Sequence, residues 1–270
     1  MEECIIESNV FENPAEYRYQ LILGRTSILR TKLRDRFGCI KNNAVSLYPN
    51  LIRGKLDYEG ILRHGICNMS ALQPHFRTKR RKEKLFRVLK AYSLYDKRVG
   101  CCPNLKYIAG SLLTRMNEAQ AFRLLTILLS SRSDMMDFRS LFFPSTDGYS
   151  PFLEYFDFLM AAKLPNMYNY MLSGDIRPSV YISHGFKSLF GLQGPAYLIE
   201  NTIDLLLIEG PWILPYCMLA LLESNEDTIM KMNHDEIPGF LWKDVFKPFE
   251  SESSTFISST LRLADIYVPF

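Results

Sequence analysis

The chain has 270 residues, with 32 Lys and Arg against 29 Asp and Glu, for a formal net charge of +3. Hydrophobic residues make up 47% and charged residues 23%, which excludes a disordered, collagenous or low-complexity chain. The length allows one large domain or two small ones around a sizeable core, and a charge of +3 is too small to argue for nucleic acid.

Taken in chain order, apolar residues recur at helical spacing almost throughout. Leu21, Ile22, Ile28, Leu29 and Leu33 predict a helix that ends near Gly38. After a basic run, Leu85, Val88, Leu89, Tyr92 and Tyr95 predict the next. Ala109, Leu112, Leu113 and Met116 form one stripe, and Ala121, Leu124, Leu125 and Leu128 another. Between them Asn117 reads as an N-cap, with Gln120 as its capping-box partner. Pro151 sits in the first turn of a helix carrying Phe152, Tyr155, Phe156 and Leu159. Val180, Tyr181 and Ile182 are strand formers, but the run is short and lies between helical patterns. Ile199, Ile203, Leu206 and Leu207 predict one more helix. The Ser-rich stretch Ser251–Ser259 reads as a loop before a final docking segment. The prolines divide the chain into about a dozen helices of ordinary length, and the fold class is all-α.

The most apolar stretch, Ile203–Leu222, contains Asp204, Glu209, Pro211 and Pro215. It reads as a helix, a Gly210–Pro211 turn and a second helix rather than a membrane span. Residues 1–13 carry Glu2, Glu3, Glu7 and Glu12, the wrong charge for a signal or transit peptide. The six cysteines, Cys4, Cys39, Cys67, Cys101, Cys102 and Cys217, contain no C-x-x-C pair. Free thiols in a reducing, cytoplasmic compartment are expected, with Cys39, Cys67 and Cys217 in apolar helical stripes.

Chemistry-bearing patterns are sparse. The run Arg77, Lys79, Arg80, Arg81, Lys82, Lys84, Arg87, Lys90 lacks interleaved aromatics, so it reads first as a solvated helix face or loop with Leu85, Val88 and Leu89 turned inward, next as a protein-partner surface, and least as a nucleic-acid site. His64, His75, His184 and His234 have no metal-helix spacing, and neither a nucleophile elbow nor a phosphate loop is present. Asp96 and Asp204 read as helix-end or ion-pair residues. No cofactor and no metal are expected. The residues themselves therefore point to a helical binding or regulatory module without a self-contained active site.

One segment is more specific. Arg87–Leu129 resembles the central block of the TBC domain, the Rab-type GTPase-activating fold. That family shows R-V-L-x-A-Y-S-x-Y-D, then V-G-Y-x-Q-G-M, then E-x-x-A-F. Arg87, Val88, Leu89, Ala91, Tyr92, Ser93, Tyr95, Asp96, Val99, Gly100, Glu118, Ala121 and Phe122 stand at those places. Leu164–Leu172 with Ile176, Tyr181–Phe190 and Glu200–Gly210 resemble the family's later blocks, and Phe37 falls near its usual Trp. The resemblance spans roughly residues 20–245, between an N-terminal extension, 1–19, and a C-terminal one, 246–270. It implies an all-helical domain in two packed subdomains, with a GTP-bound Rab-type GTPase as partner.

In that family an Arg of I-x-x-D-x-x-R stabilises charge on the γ-phosphate, and the Gln of Y-x-Q-G positions the attacking water. Here the Gln position holds Pro103, with Cys101, Asn104 and Leu105 for the Tyr, Gly and Met. For the Arg motif, one register sets Ile66, Met69 and Leu72 against Ile, Asp and Arg. A second uses Arg77 as the arginine and puts Ala71 and Pro74 where Ile and Asp belong. The resemblance thus implies a GTPase-binding face with Leu72, Arg77, Pro103 and Asn104, and no catalytic residue unless Arg77 serves. The expectation is a weak or inactive regulator or scaffold, without an integral membrane segment and peripheral on endomembranes through its GTPase. The alternative is an active, atypical activator in vesicle traffic or mitotic-exit control.

Overall fold

The computed structural model describes residues 44–67, 69, 74–130, 136–143, 150–192, 194–250 and 253–265, and every regular element among them is helical. The helix expected over Leu21–Leu33 lies outside these residues.

The first half contains α1 (Ala44–Arg53), α2 (Glu59–Cys67), α3 (Lys79–Tyr95), α4 (Leu105–Arg115) and α5 (Glu118–Leu128). Helix α3 is its hub and packs against the other four. The reason is its apolar face: Leu85, Phe86, Val88, Leu89, Ala91 and Tyr92 are buried, while the basic residues at its start face solvent. Thr78 caps this helix by accepting from the Arg81 amide at 3.4 Å. The capping box at α5 forms as expected, with Gln120 N donating to Asn117 and Asn117 N donating to the Gln120 side chain.

The second half contains α6 (Ser150–Lys163), α7 (Pro165–Ser173), α8 (Pro178–Ser188), α9 (Ala196–Glu209), α10 (Ile213–Glu223), α11 (Glu226–Ile229), α12 (Ile237–Lys243) and α13 (Ser253–Asp265). Its centre is α10, in which every residue from Ile213 to Leu222 is buried beneath α6, α9 and α13. The apolar stretch is thus a core helix reached through a glycine turn. Gly210 takes a positive φ of 98° and donates to Leu206 O, closing α9. No described helix is long and apolar enough to cross a membrane. Helix α4 joins the halves, packing on α5 and α3 on one side and on α9 and α8 on the other.

Val180–Ile182, the short β-branched run between helical patterns, lies inside α8, because Ile182 and Phe186, one turn apart, are both buried and that packing overrides strand propensity. One local reading needs correction. Most of the Ser-rich stretch is helix α13, not a loop. Phe256, Ile257, Thr260, Leu261, Leu263 and Ala264 supply a buried stripe, and the Thr260 hydroxyl is satisfied by Phe256 O at 2.8 Å.

Candidate functional site

The two segments that matter, the end of α2 and the turn before α4, meet in space. The meeting is made by a residue with no side chain. A Cβ built on Gly65 would stand 3.2 Å from Pro103 Cβ, so Pro103 lies directly on the last turn of α2. Two lysines close the junction. Lys106 Nζ, from α4, donates to Gly65 O at 2.7 Å, and Lys82 Nζ, from α3, donates to Cys67 O at 2.7 Å. Both satisfy carbonyls that a helix C-terminus leaves without partners, and both place positive charge at the negative end of its dipole. Burial pushes the Lys106 pKa below its ordinary value. Arg63 completes α2's attachment: its guanidinium lies 3.7 Å from the Phe86 ring centroid and pairs with Glu83 at 2.9 Å.

The turn that carries Pro103 is held from the other side by Asp96. This carboxylate takes a bidentate pair from Arg139, at 2.6 and 2.7 Å, and a hydrogen bond from the Tyr92 hydroxyl at 3.1 Å. It also accepts the Arg98 and Val99 amides at 3.2 and 3.4 Å. Burial alone would raise the Asp96 pKa. The Arg139 guanidinium, the Val99 amide and the Tyr92 hydroxyl outweigh it and hold the group below its ordinary 3.8. Gly100 then turns the chain with a φ of 60° and donates to Asp96 O at 2.8 Å. The amide of Leu105 donates to Cys102 O and that of Lys106 to Pro103 O, starting α4.

A second ionic tie fixes α1, α3 and α5. Glu118 receives Arg87 at 2.8 and 2.6 Å and the Tyr48 hydroxyl at 2.9 Å. Here too burial would raise the carboxyl pKa, but Arg87 and Tyr48 bring it below its usual value. Arg87, Asp96 and Glu118, the charged positions that carry the resemblance, are therefore scaffold residues.

Of the four residues expected on the GTPase-binding face, Leu72 lies outside the described residues. Pro103 and Asn104 sit half-buried in the turn against α2. Asn104 brings the side-chain amide of this turn one residue after the Gln position, and it makes no capping bond. Arg77 ends the 3₁₀ turn Pro74–Arg77 and is exposed. Ile66 and Met69 are buried core residues, at 3% and 0% exposure. In the register that sets Ile66, Met69 and Leu72 against the family's Ile, Asp and Arg, the residue at the Asp position is thus a core thioether. Periodicity missed Gly65, Lys82, Lys106 and Arg139, which act through partners far away in sequence.

Cys67, Cys101 and Cys102 flank this site and Cys217 lies in the core helix α10; all four are free. Burial raises the pKa of Cys101, Cys102 and Cys217, and Cys4 and Cys39 lie outside the described residues. Cys67 is not in the apolar stripe expected for it. Leu62 and Ile66 face inward, and the next position rotates about 100° to the exposed side of α2. Of the four described thiols, Cys67 should therefore alkylate first in the native protein and Cys217 only on unfolding. Peptide mapping after timed labelling checks that order; equal rates for the two would contradict it. No group of three or more His, Cys, Asp or Glu side chains among the described residues is placed to hold a metal ion.

The all-α fold agrees with comparisons to known proteins. A family model described as the RabGAP TBC domain matches residues 82–266, and the chain belongs to that family. It is 28% identical over 201 residues to the GTPase-activating protein Gyp5 of Saccharomyces cerevisiae, covering 74% of this chain and 22% of the relative. It is 33% identical over 158 residues to mouse TBC1 domain family member 4, covering 58% of this chain and 12% of that protein. The chain thus spans a quarter or less of the curated relatives it matches. Among solved structures, the Chlamydomonas flagellar RabGAP TBC domain superposes with a TM-score of 0.68 at 21% identity, covering 96% of this chain and 86% of that one. The Ypt/Rab-GAP domain of Gyp1p gives 0.62 at 14% identity, covering 94% and 88%. Both share the all-α fold.

Proposed function

We propose that this chain binds a Rab-type GTPase in its GTP-bound form and regulates or scaffolds it with little or no stimulation of hydrolysis. The observation that carries the reading is Pro103 on Gly65. At the place where the family motif has its water-positioning Gln stands a residue with neither a side-chain amide nor a backbone N–H. The nearby cation, Lys106, is committed to Gly65 O. The Asp position holds Met69 in one register of the arginine motif and Pro74 in the register that uses Arg77, so an arginine on this segment also lacks its usual guide. The same reading places the protein in the cytoplasm, on endomembranes only through its GTPase.

A second reading has one observation in its favour. Arg77 is exposed at the end of the 3₁₀ turn and makes no ion pair among the described residues. It is free to enter a GTPase site as an arginine finger, with the GTPase's own Gln positioning water, as expected of an active regulator of traffic or mitotic exit.

Binding is the first test. A panel of Rab-type GTPases, each loaded with GDP or with a non-hydrolysable GTP analogue, is titrated against the protein by calorimetry. At least one member is expected to bind at least tenfold more tightly in the GTP-like state. Failure of every member to bind would overturn both readings.

A further inference from the structure

The start of α3 carries more positive charge than the fold uses. Its first turn contains Lys79, Arg80, Arg81 and Lys82 and no acidic residue, although cations at a helix N-terminus oppose the dipole. Two of the four have structural work: Arg81 donates to His75 O at 3.0 Å and Lys82 to Cys67 O. Lys79 and Arg80, with Arg77 just before them, are exposed and make no hydrogen bond or ion pair among the described residues.

The neighbouring carboxylates are already taken. Glu83 pairs with Arg63, Glu59 with Lys90 and Glu118 with Arg87. The field is felt locally: the His75 pKa is lowered first by burial and then by Arg81 and Lys84. The ridge is continuous with the site, because Lys82, one helical turn on from Lys79, holds the end of α2 on which Pro103 packs.

We propose that Lys79 and Arg80, with Arg77 at their edge, form a basic ridge that steers an acidic surface of the GTPase onto the Pro103–Gly65 site. This rests on the reading that a GTPase docks there. An acidic protein surface fits the ridge better than a lipid or a nucleic acid does. Between His75 and Leu85 both large apolar side chains, Phe76 and Leu85, are buried, so none is offered for membrane insertion or base stacking. Because the ridge lies beside the contact, its effect is on encounter.

The test uses the Rab-type GTPase that binds best in the panel, loaded with the non-hydrolysable analogue, and the double variant Lys79→Glu/Arg80→Glu. Association and dissociation are followed by stopped flow at ionic strengths of about 0.01 and 0.15 M, where charges act over about 30 and 8 Å. The variant is expected to associate about tenfold more slowly at the low ionic strength, with dissociation changed less than about twofold and the gap narrowing at the higher one. The milder Lys79→Gln/Arg80→Gln should fall between. A misfolded variant would lose binding at every salt concentration, so the salt dependence isolates steering.

Equal association rates for wild type and variant would overturn the ridge while leaving GTPase docking intact. Absence of any GTPase binding by the wild type would overturn both. Vesicles containing anionic phospholipid form a separate arm. Binding to them that is lost in the double variant, with GTPase association unchanged, would assign the ridge to a membrane and overturn the proposal.

Discussion

Replacing Asp96 by Ala is expected to destabilise the protein by about 3–5 kcal/mol, the cost of leaving a buried ion pair with one partner. The carboxylate is 7% exposed and holds Arg139 in two hydrogen bonds, with Tyr92 and two backbone amides on the same oxygens. Its loss strands the Arg139 guanidinium and frees the turn that leads to Pro103. For a chain of this size the melting temperature should fall by roughly 10 °C, and GTPase binding should weaken with it.

The dependence on pH follows from the lowered pKa. A carboxylate held below its ordinary 3.8 contributes stability that is present above that value and is lost as pH falls through the lower folded-state value. Wild type should therefore lose its advantage over Asp96→Asn on acidification below about pH 4. Thermal melts of the two proteins at neutral and acid pH measure this. A difference that stays constant with pH would show that the charge of Asp96 is not what stabilises the turn.

What could be read from the sequence divides along physical lines. Helices announce themselves through local periodicity, so the stripe Leu85–Val88–Leu89–Tyr92–Tyr95 placed α3, and its first four members are buried while Tyr95, at the helix end, is exposed. The Asn117–Gln120 capping box was equally legible, because both partners lie within one turn. Asp96 was read as a helix-end or ion-pair residue and is both, but its partner Arg139 is 43 positions away and leaves no local pattern. The same distance effect hid the site's fasteners. Gly65 is one of fourteen glycines until Pro103 is seen against it, and Lys106 is an ordinary helix residue until its ammonium is found on a carbonyl 41 residues earlier. Cys67 was misplaced because an apolar neighbourhood in sequence does not say which side of α2 a residue faces. The resemblance supplied what periodicity lacks. It marked Arg87, Asp96 and Glu118, and the structure adds their work: Arg87 pairs with Glu118 across α3 and α5, and Asp96 pairs with Arg139 and holds the turn that leads to Pro103.

Pro103 then carries the functional argument, and Arg77 decides it. A finger arginine contributes about 10³ to 10⁵ in rate because charge appears on the phosphate oxygens in a dry site, and it does so only when held at the phosphate by an oriented side chain. In this chain the orienting position holds Met69 in one register of the arginine motif and Pro74 in the register that uses Arg77, and the water-positioning one holds Pro103. The measurement is single-turnover GTP hydrolysis by each bound Rab-type GTPase, alone, with saturating wild-type protein and with saturating Arg77→Ala. The expected result is that wild type and Arg77→Ala give the same rate, within a few fold of the GTPase alone. Stimulation of about 10³-fold or more by wild type, lost in Arg77→Ala, would contradict the account and make Arg77 the catalytic finger.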